Sequence, residues 1–154
     1  GLAREGLFNI LQNKFHFDSI QVADLCSGSG AIGFEFISRG SMVTFLDKNP
    51  KCIIHLKNTA KIFNVKPKII KKDVFNFIKD DNEKFNLIFA DPPYSFSKTK
   101  YNELIYGLSN KLFDKNSILV LEHYKKNIFN NFEIFCYMKE YGDSYFSFFK
   151  TKSG

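Results

Sequence analysis

Asp91-Pro92-Pro93-Tyr94 stands directly after the apolar run Phe85 to Ala90. Two successive prolines fix the backbone dihedrals, so the carbonyls beside them point in set directions. Such a turn is a rigid platform of hydrogen-bond acceptors. An amino nitrogen conjugated to an aromatic ring is a poor nucleophile because its lone pair is delocalised into the ring. Fixed acceptors for its two N–H groups help to free that pair. The Asp91 carboxylate and the Pro92 carbonyl could supply both bonds, and the carboxylate could take the proton released when the nitrogen is substituted. Tyr94 is of the type that stacks on an unpaired base. The plainer reading is a proline turn that ends a strand, with Tyr94 packed on the surface.

A second motif bears on that choice. Gly28-Ser29-Gly30-Ala31-Ile32-Gly33 fits G-x-G-x-x-G and falls between a predicted strand and a predicted helix, as a nucleotide-binding turn should. It lacks the Gly-Lys-Ser/Thr of a triphosphate loop, which leaves a dinucleotide or S-adenosylmethionine. A dinucleotide carries a pyrophosphate that wants backbone amides and positive charge, whereas S-adenosylmethionine carries a sulfonium and an ammonium and no phosphate. Asp24 lies four residues before Gly28, Asp47 ends the second predicted strand, and Asp73 and Asp91 follow the third and fourth. Four carboxylates at the carboxyl edge, where open α/β sheets bind ligands, favour the cation. Asp47 is expected to accept from ribose hydroxyls, Asp73 from the adenine amine, and Asp24 to hold the methionine ammonium directly or through water. Each aspartate alone reads equally as a turn residue or a helix cap.

These residues need a sheet to bring them together. Glu5 to Leu11 has apolar residues at helical spacing, and Ile20 to Leu25 is a compact apolar run before the glycine loop. Ala31 to Ser38 reads as a helix closed by Gly40, Met42 to Leu46 as a strand, and Pro50 opens a helix to about Phe63. Lys68 to Lys72, Phe85 to Ala90 and Ser117 to Leu121 are further strands; Val74 to Ile78 and Tyr101 to Ser109 are helices between them. Phe132 to Lys139 and Tyr145 to Phe149 form a hairpin about Gly142-Asp143. Alternating strands and helices imply a mostly parallel sheet covered on both faces, with an antiparallel ending. With no linker or repeat in its 154 residues, the chain is expected to be one domain, residues 1–13 being a helix ahead of the core.

Composition excludes little else. No apolar run approaches the length of a membrane span and the N-terminus has no signal-peptide pattern, so a cytoplasmic protein with no membrane partner is expected. Cys26, Cys52 and Cys136 are far apart and are read as buried thiols; His16, His55 and His123 are equally scattered, and no metal is expected. A net charge of +6 suits a polyanion, yet arginine appears only as Arg4 and Arg39 among many lysines, a bias that an A- and T-rich genome also produces.

Taken together the chain resembles a class I methyltransferase, and more narrowly the RsmD-type 16S ribosomal RNA guanine-N2 methyltransferases. Arg4 to Leu11 resembles the helix before that family's cofactor loop, Asp24 to Gly33 with Ser38-Arg39-Gly40 its loop and following helix, Asp91 to Tyr94 its catalytic motif, and Tyr141-Gly142-Asp143 its late turn. The resemblance implies a Rossmann-like, seven-stranded sheet, S-adenosylmethionine as cofactor with S-adenosylhomocysteine as product, and ribosomal RNA or the small ribosomal subunit as partner, the enzyme acting as a monomer. It implies catalytic roles for Asp91, Pro92 and Tyr94, and cofactor contacts from Asp24, Ser27, Gly28, Gly30, Asp47, Asp73 and Asp91. Asp-Pro-Pro-Tyr is shared with adenine-N6 methyltransferases of DNA; the first helix, Ser-Arg-Gly and the lack of room for a target-recognition domain favour the ribosomal RNA group. Gly6 falls where a better helix former is usual, at a cost of about 1 kcal/mol. The basic segment that precedes this helix in the family is not seen before Gly1, so weak action on RNA is expected of this chain. An NAD-dependent oxidoreductase would account for the glycine loop and Asp47 but not for Asp91 to Tyr94, and a non-catalytic RNA-binding module would have no use for either motif. Glutamine-N5 methyltransferases typically carry Asn where Asp91 stands.

Overall fold

The computed structural model describes residues 2–80, 83–93, 95–124 and 129–152. The helices are α1 (Leu2–Leu11), α2 (Ala31–Ser38), α3 (Pro50–Ile62), α4 (Val74–Lys79) and α5 (Lys98–Ser109). The strands are β1 (Gln21–Leu25), β2 (Met42–Asp47), β3 (Lys68–Lys71), β4 (Leu87–Ala90), β5 (Ile118–His123), β6 (Phe135–Tyr141) and β7 (Ser144–Phe149). They form a seven-stranded sheet in the order β3-β2-β1-β4-β5-β7-β6. β1 to β5 are parallel to their neighbours, β7 runs antiparallel to β5, and β6 and β7 make the terminal hairpin. From β1 the chain builds outward through β2 to β3, then returns to lay β4 on the other side of β1. The crevice between β1 and β4 is thus the switch point at which open sheets bind ligands.

Two apolar layers hold the sheet. On one face Leu7, Phe8 and Leu11 of α1, Phe34 and Phe36 of α2 and Leu56 of α3 pack on Val22, Phe45, Phe89 and Val120. On the other, Phe77 of α4 and Leu104, Ile105 and Leu108 of α5 pack on Ala23, Leu25, Ile88, Ala90 and Leu121. The alternation of residues between faces along each strand decides which side chains end up where. Among the described residues no helix is long and apolar enough to cross a membrane.

The boundaries depart from the sequence pattern where local chemistry overrides it. α5 starts at Lys98 because the Ser97 hydroxyl accepts from Lys100 N–H at 3.2 Å and caps it. Phe85 lies outside β4, bridged singly to Leu112, and β5 runs on to His123. β6 begins at Phe135, since Phe132 and Ile134 are core residues on a turn rather than a strand. Gly6 has a packing reason: a Cβ there would fall 2.3 Å from the Tyr141 ring, whose hydroxyl reaches the Gly6 carbonyl at 3.4 Å. Arg39 fastens the same helix from the other side, its guanidinium lying 4.6 Å from the centre of the Phe8 ring while its Nε donates to Glu35 at 2.9 Å.

Candidate active site

The carboxyl ends of β1, β2 and β4 open on a cavity of about 450 Å³. Gly28, Asp47, Asp73, Asp91 and Pro92 line it. Apolar wall is added by Leu46, Val74 and Phe96, the last packed on Phe75 with ring centres 5.5 Å apart. Three carboxylates face two ammonium groups, of Lys48 and Lys72, and Lys72 is tied to Asp80.

The glycine loop is held by the aspartates around it. Asp47 accepts from Gly28 N–H at 3.1 Å through one oxygen and from Asn49 N–H at 2.9 Å through the other. A Cβ on Gly28 would meet nothing within 4 Å, so the backbone faces open space there. Ser27 donates its hydroxyl to the Asp24 carbonyl at 2.5 Å, and Gly30 begins α2 with φ of 79°. Asp24 is 2% exposed, and its carboxylate accepts from Gly33 N–H, a first-turn donor of α2, at 2.9 Å. Gly33 is where helix and strand meet most closely: a Cβ would sit 2.2 Å from the Phe45 ring.

Five of the expected site residues therefore meet in one cavity, and three do not line it. Asp24, Ser27 and Gly30 lie behind the loop and shape it from below. Asp73 takes both of its readings at once, capping α4 through Phe75 N–H at 2.7 Å while lining the cavity. Tyr94 lies outside the described residues. Lys100, just beyond the Asp91 turn, has its ammonium 4.3 Å from the centre of the Phe75 ring.

Sequence reasoning missed Cys26, Cys52, Phe96 and Tyr124, all in the wall. The thiols are not all buried: Cys26 and Cys52 are half-buried and Cys136 is exposed. The signal for Tyr124 is its place directly after β5, since a residue following a parallel strand belongs to the same edge; the apolar run Ser117 to Leu121 stops short of it.

Burial sets the electrostatics. Loss of solvent raises Asp24 from 3.8 to about 8, against the Gly33 hydrogen bond and with help from the charges of Asp91 and Asp47. Asp91 is raised to about 7, first by burial and then by the charge of Glu122. Burial also pushes the Cys26 thiol up to about 12, so it stays protonated. A pocket lined by the carboxyl groups of Asp47, Asp73 and Asp91 would welcome a cation.

The family described as Conserved hypothetical protein 95 matches residues 1–150. The chain belongs to this family, the RsmD-type methyltransferases. Ribosomal RNA small subunit methyltransferase D of Buchnera aphidicola subsp. Acyrthosiphon pisum is 33% identical over 127 residues, 80% of this chain and 64% of that protein. The chain thus spans somewhat less than two thirds of that relative. A Haemophilus influenzae protein has the same fold, with a TM-score of 0.79 over 97% of this chain and 96% of its own, at 24% identity. So does the T. thermophilus 16S rRNA N2 G1207 methyltransferase solved with AdoMet and guanosine, with a TM-score of 0.80, 16% identity, and 99% and 43% coverage. The RsmD-type family fold is therefore the Rossmann-like sheet expected from the sequence, antiparallel ending included.

Proposed function

We propose that this chain transfers a methyl group from S-adenosylmethionine to the exocyclic N2 amine of a guanine in small-subunit (16S) ribosomal RNA, leaving S-adenosylhomocysteine. The observation that carries the reading is the meeting of Asp91 and Pro92 with Asp47 and Gly28 in one cavity of about 450 Å³ at the switch point. That volume suits a small-molecule cofactor. The donor set suits this one: Asp47 keeps accepting capacity for ribose hydroxyls beyond its two backbone bonds, Asp73 has a second oxygen for the adenine amine, and the half-buried Asp91 favours a neighbouring positive charge.

S-adenosylmethionine supplies, when bound, an electrophilic methyl group on a sulfonium. The chain's own residues do the rest. Asp91 and the Pro92 carbonyl accept the N–H groups of the target amine and turn its lone pair toward the methyl group. With its carboxyl at about 7, Asp91 is matched to receive the released proton near neutral pH. Tyr94 is assigned to stacking on the extruded base, and Ser27, Gly30 and Asp24 to shaping the loop beneath the methionine portion. The same amine chemistry would serve adenine N6. The choice of guanine in ribosomal RNA is supported by family membership and by the relative named for the small subunit. Residues 1–154 act on this reading as one methyltransferase domain, α1 being the helix ahead of the cofactor-binding core, in a cytoplasmic monomer.

Tritium transfer from labelled S-adenosylmethionine to small-subunit RNA lacking the modification tests this. Incorporation into RNA is expected. Binding of NAD in calorimetry, with neither S-adenosylmethionine nor S-adenosylhomocysteine bound, would transfer the site to the oxidoreductase reading.

A further inference from the structure

Glu122 has no part in the roles above, although it stands beside the residue that matters most to them. The register pairs Ala90 of β4 with Leu121 of β5, and both side chains belong to the apolar layer under α4 and α5. The next residue on each strand leaves on the opposite face, and Asp91 continues the ladder with its N–H toward the Leu25 carbonyl at 3.4 Å. Asp91 and Glu122 therefore stand side by side on neighbouring strands, spaced by about 4.8 Å of sheet. The charge of Glu122 is felt at Asp91, second to burial.

Glu122 is also held. The Ser144 hydroxyl of β7 donates to its Oε2 at 3.3 Å, and the phenol of Tyr124, which lines the cavity, bonds to it as well. A carboxylate has roughly four lone-pair sites, so two hydroxyl donors orient this one without exhausting it. Ser144 and Tyr124 act as a brace for a half-buried carboxylate that stands behind Tyr124, the residue of this group that lines the cavity.

The two purines differ at the atom next to the reacting amine. In guanine the N2 amine is flanked by N1–H, a donor; in adenine the N6 amine is flanked by N1, a lone-pair acceptor. An acceptor one strand over from Asp91 completes a pair of bonds to guanine and is set lone pair against lone pair by adenine. Resting on the guanine reading above, we infer that Glu122 selects guanine over adenine by accepting the N1–H beside the amine that Asp91 holds. Sites built to bond a substrate N–H reject analogues without it, because the buried acceptor is left unpaired.

The test uses a hairpin oligoribonucleotide copied from the stretch of 16S rRNA that the wild-type chain methylates, with guanine, 2-aminopurine or adenine at the target position. 2-Aminopurine keeps the N2 amine and lacks both N1–H and the O6 carbonyl; any contact to O6 is common to wild type and Glu122→Gln, so the change in the ratio between the two proteins isolates N1. The wild type should prefer guanine to 2-aminopurine by about 10- to 100-fold in kcat/KM, the range set by one unpaired buried acceptor. Glu122→Gln, whose amide can turn its NH2 toward N1, should narrow that ratio to a few fold at most, with S-adenosylhomocysteine binding reporting that the variant is folded. A wild type that takes both bases equally would overturn the inference. So would a variant that loses activity on both in the same proportion, as a mere brace for Tyr124 and Ser144 would. Methylation of adenine N6 by the wild type, with guanine untouched, would instead remove the functional reading, and this inference with it.

Discussion

Gly33→Ala probes how closely the cofactor loop is fitted to the sheet. The added methyl would lie 2.2 and 2.7 Å from two atoms of the Phe45 ring and 2.9 Å from the Asp24 carboxylate. Carbon atoms in contact settle at about 3.5 to 4.0 Å, so the ring has to retreat by more than 1 Å. It has nowhere to go: Phe45 is fully buried and packs on Phe34 with ring centres 4.7 Å apart. Overpacking of this kind costs about 1 to 3 kcal/mol. Alanine in a helix returns about 1 kcal/mol over glycine. Displacing Asp24 from Gly33 N–H takes away a hydrogen bond worth about 1 kcal/mol. The net expectation is a loss of about 1 to 3 kcal/mol, read from the urea midpoint at unchanged slope. Adding Phe45→Leu should recover part of it, since the shorter side chain leaves room for the methyl, and the two changes should be non-additive. A Gly33→Ala protein within 0.5 kcal/mol of the wild type, a threshold typical of neutral surface changes, would show that helix and strand are not in the contact described.

Four more outcomes are expected. Asp91→Asn should lower methyl transfer by roughly 10²- to 10⁴-fold while leaving S-adenosylhomocysteine affinity within a few fold, because its work is on the amine; full activity would remove it from the mechanism. Asp47→Ala should weaken cofactor binding about tenfold or more in calorimetry, since it loses ribose contacts and releases Gly28 N–H and Asn49 N–H, and unchanged affinity would displace it from the pocket. Asp24 is held at about 8 against its ordinary 3.8, so the folded state binds its proton the more tightly. That stability is fully present below pH 4 and is lost as pH rises through about 8; Asp24→Asn keeps an acceptor for Gly33 N–H and should flatten the decline, leaving the smaller part due to Asp91. Identical pH profiles for variant and wild type would contradict the burial of that carboxyl group. The same logic gives kcat/KM an acid limb near pH 7, rising as Asp91 ionises.

The parallel part of the fold was legible because its strands are short apolar runs bounded by glycine, proline or aspartate, as at Ile20 to Leu25 and Met42 to Leu46. The hairpin was harder. β6 is an edge strand with one exposed face, and the apolar residues just before it, Phe132 and Ile134, fill the core from a turn, so hydrophobicity alone placed its start too early. At the site, position relative to a strand end was the useful signal. Asp47, Asp73 and Asp91 end or follow their strands and line the cavity, whereas Asp24 lies one residue inside β1 and is swallowed by the packing of α2. Glu122 breaks the apolar run Ser117 to Leu121, although β5 continues through it to His123. Its nearness to Asp91 depends on the pairing of β4 with β5, which residue types along the chain do not state.

The most direct test of the central claim is the identity of the methylated nucleoside. Small ribosomal subunits lacking the modification are incubated with the chain and S-adenosylmethionine, the RNA is digested, and the product is identified by mass. N2-methylguanosine is expected with the wild type and none with Asp91→Asn. N6-methyladenosine, or methylation of DNA in preference to RNA, would contradict the account of the substrate.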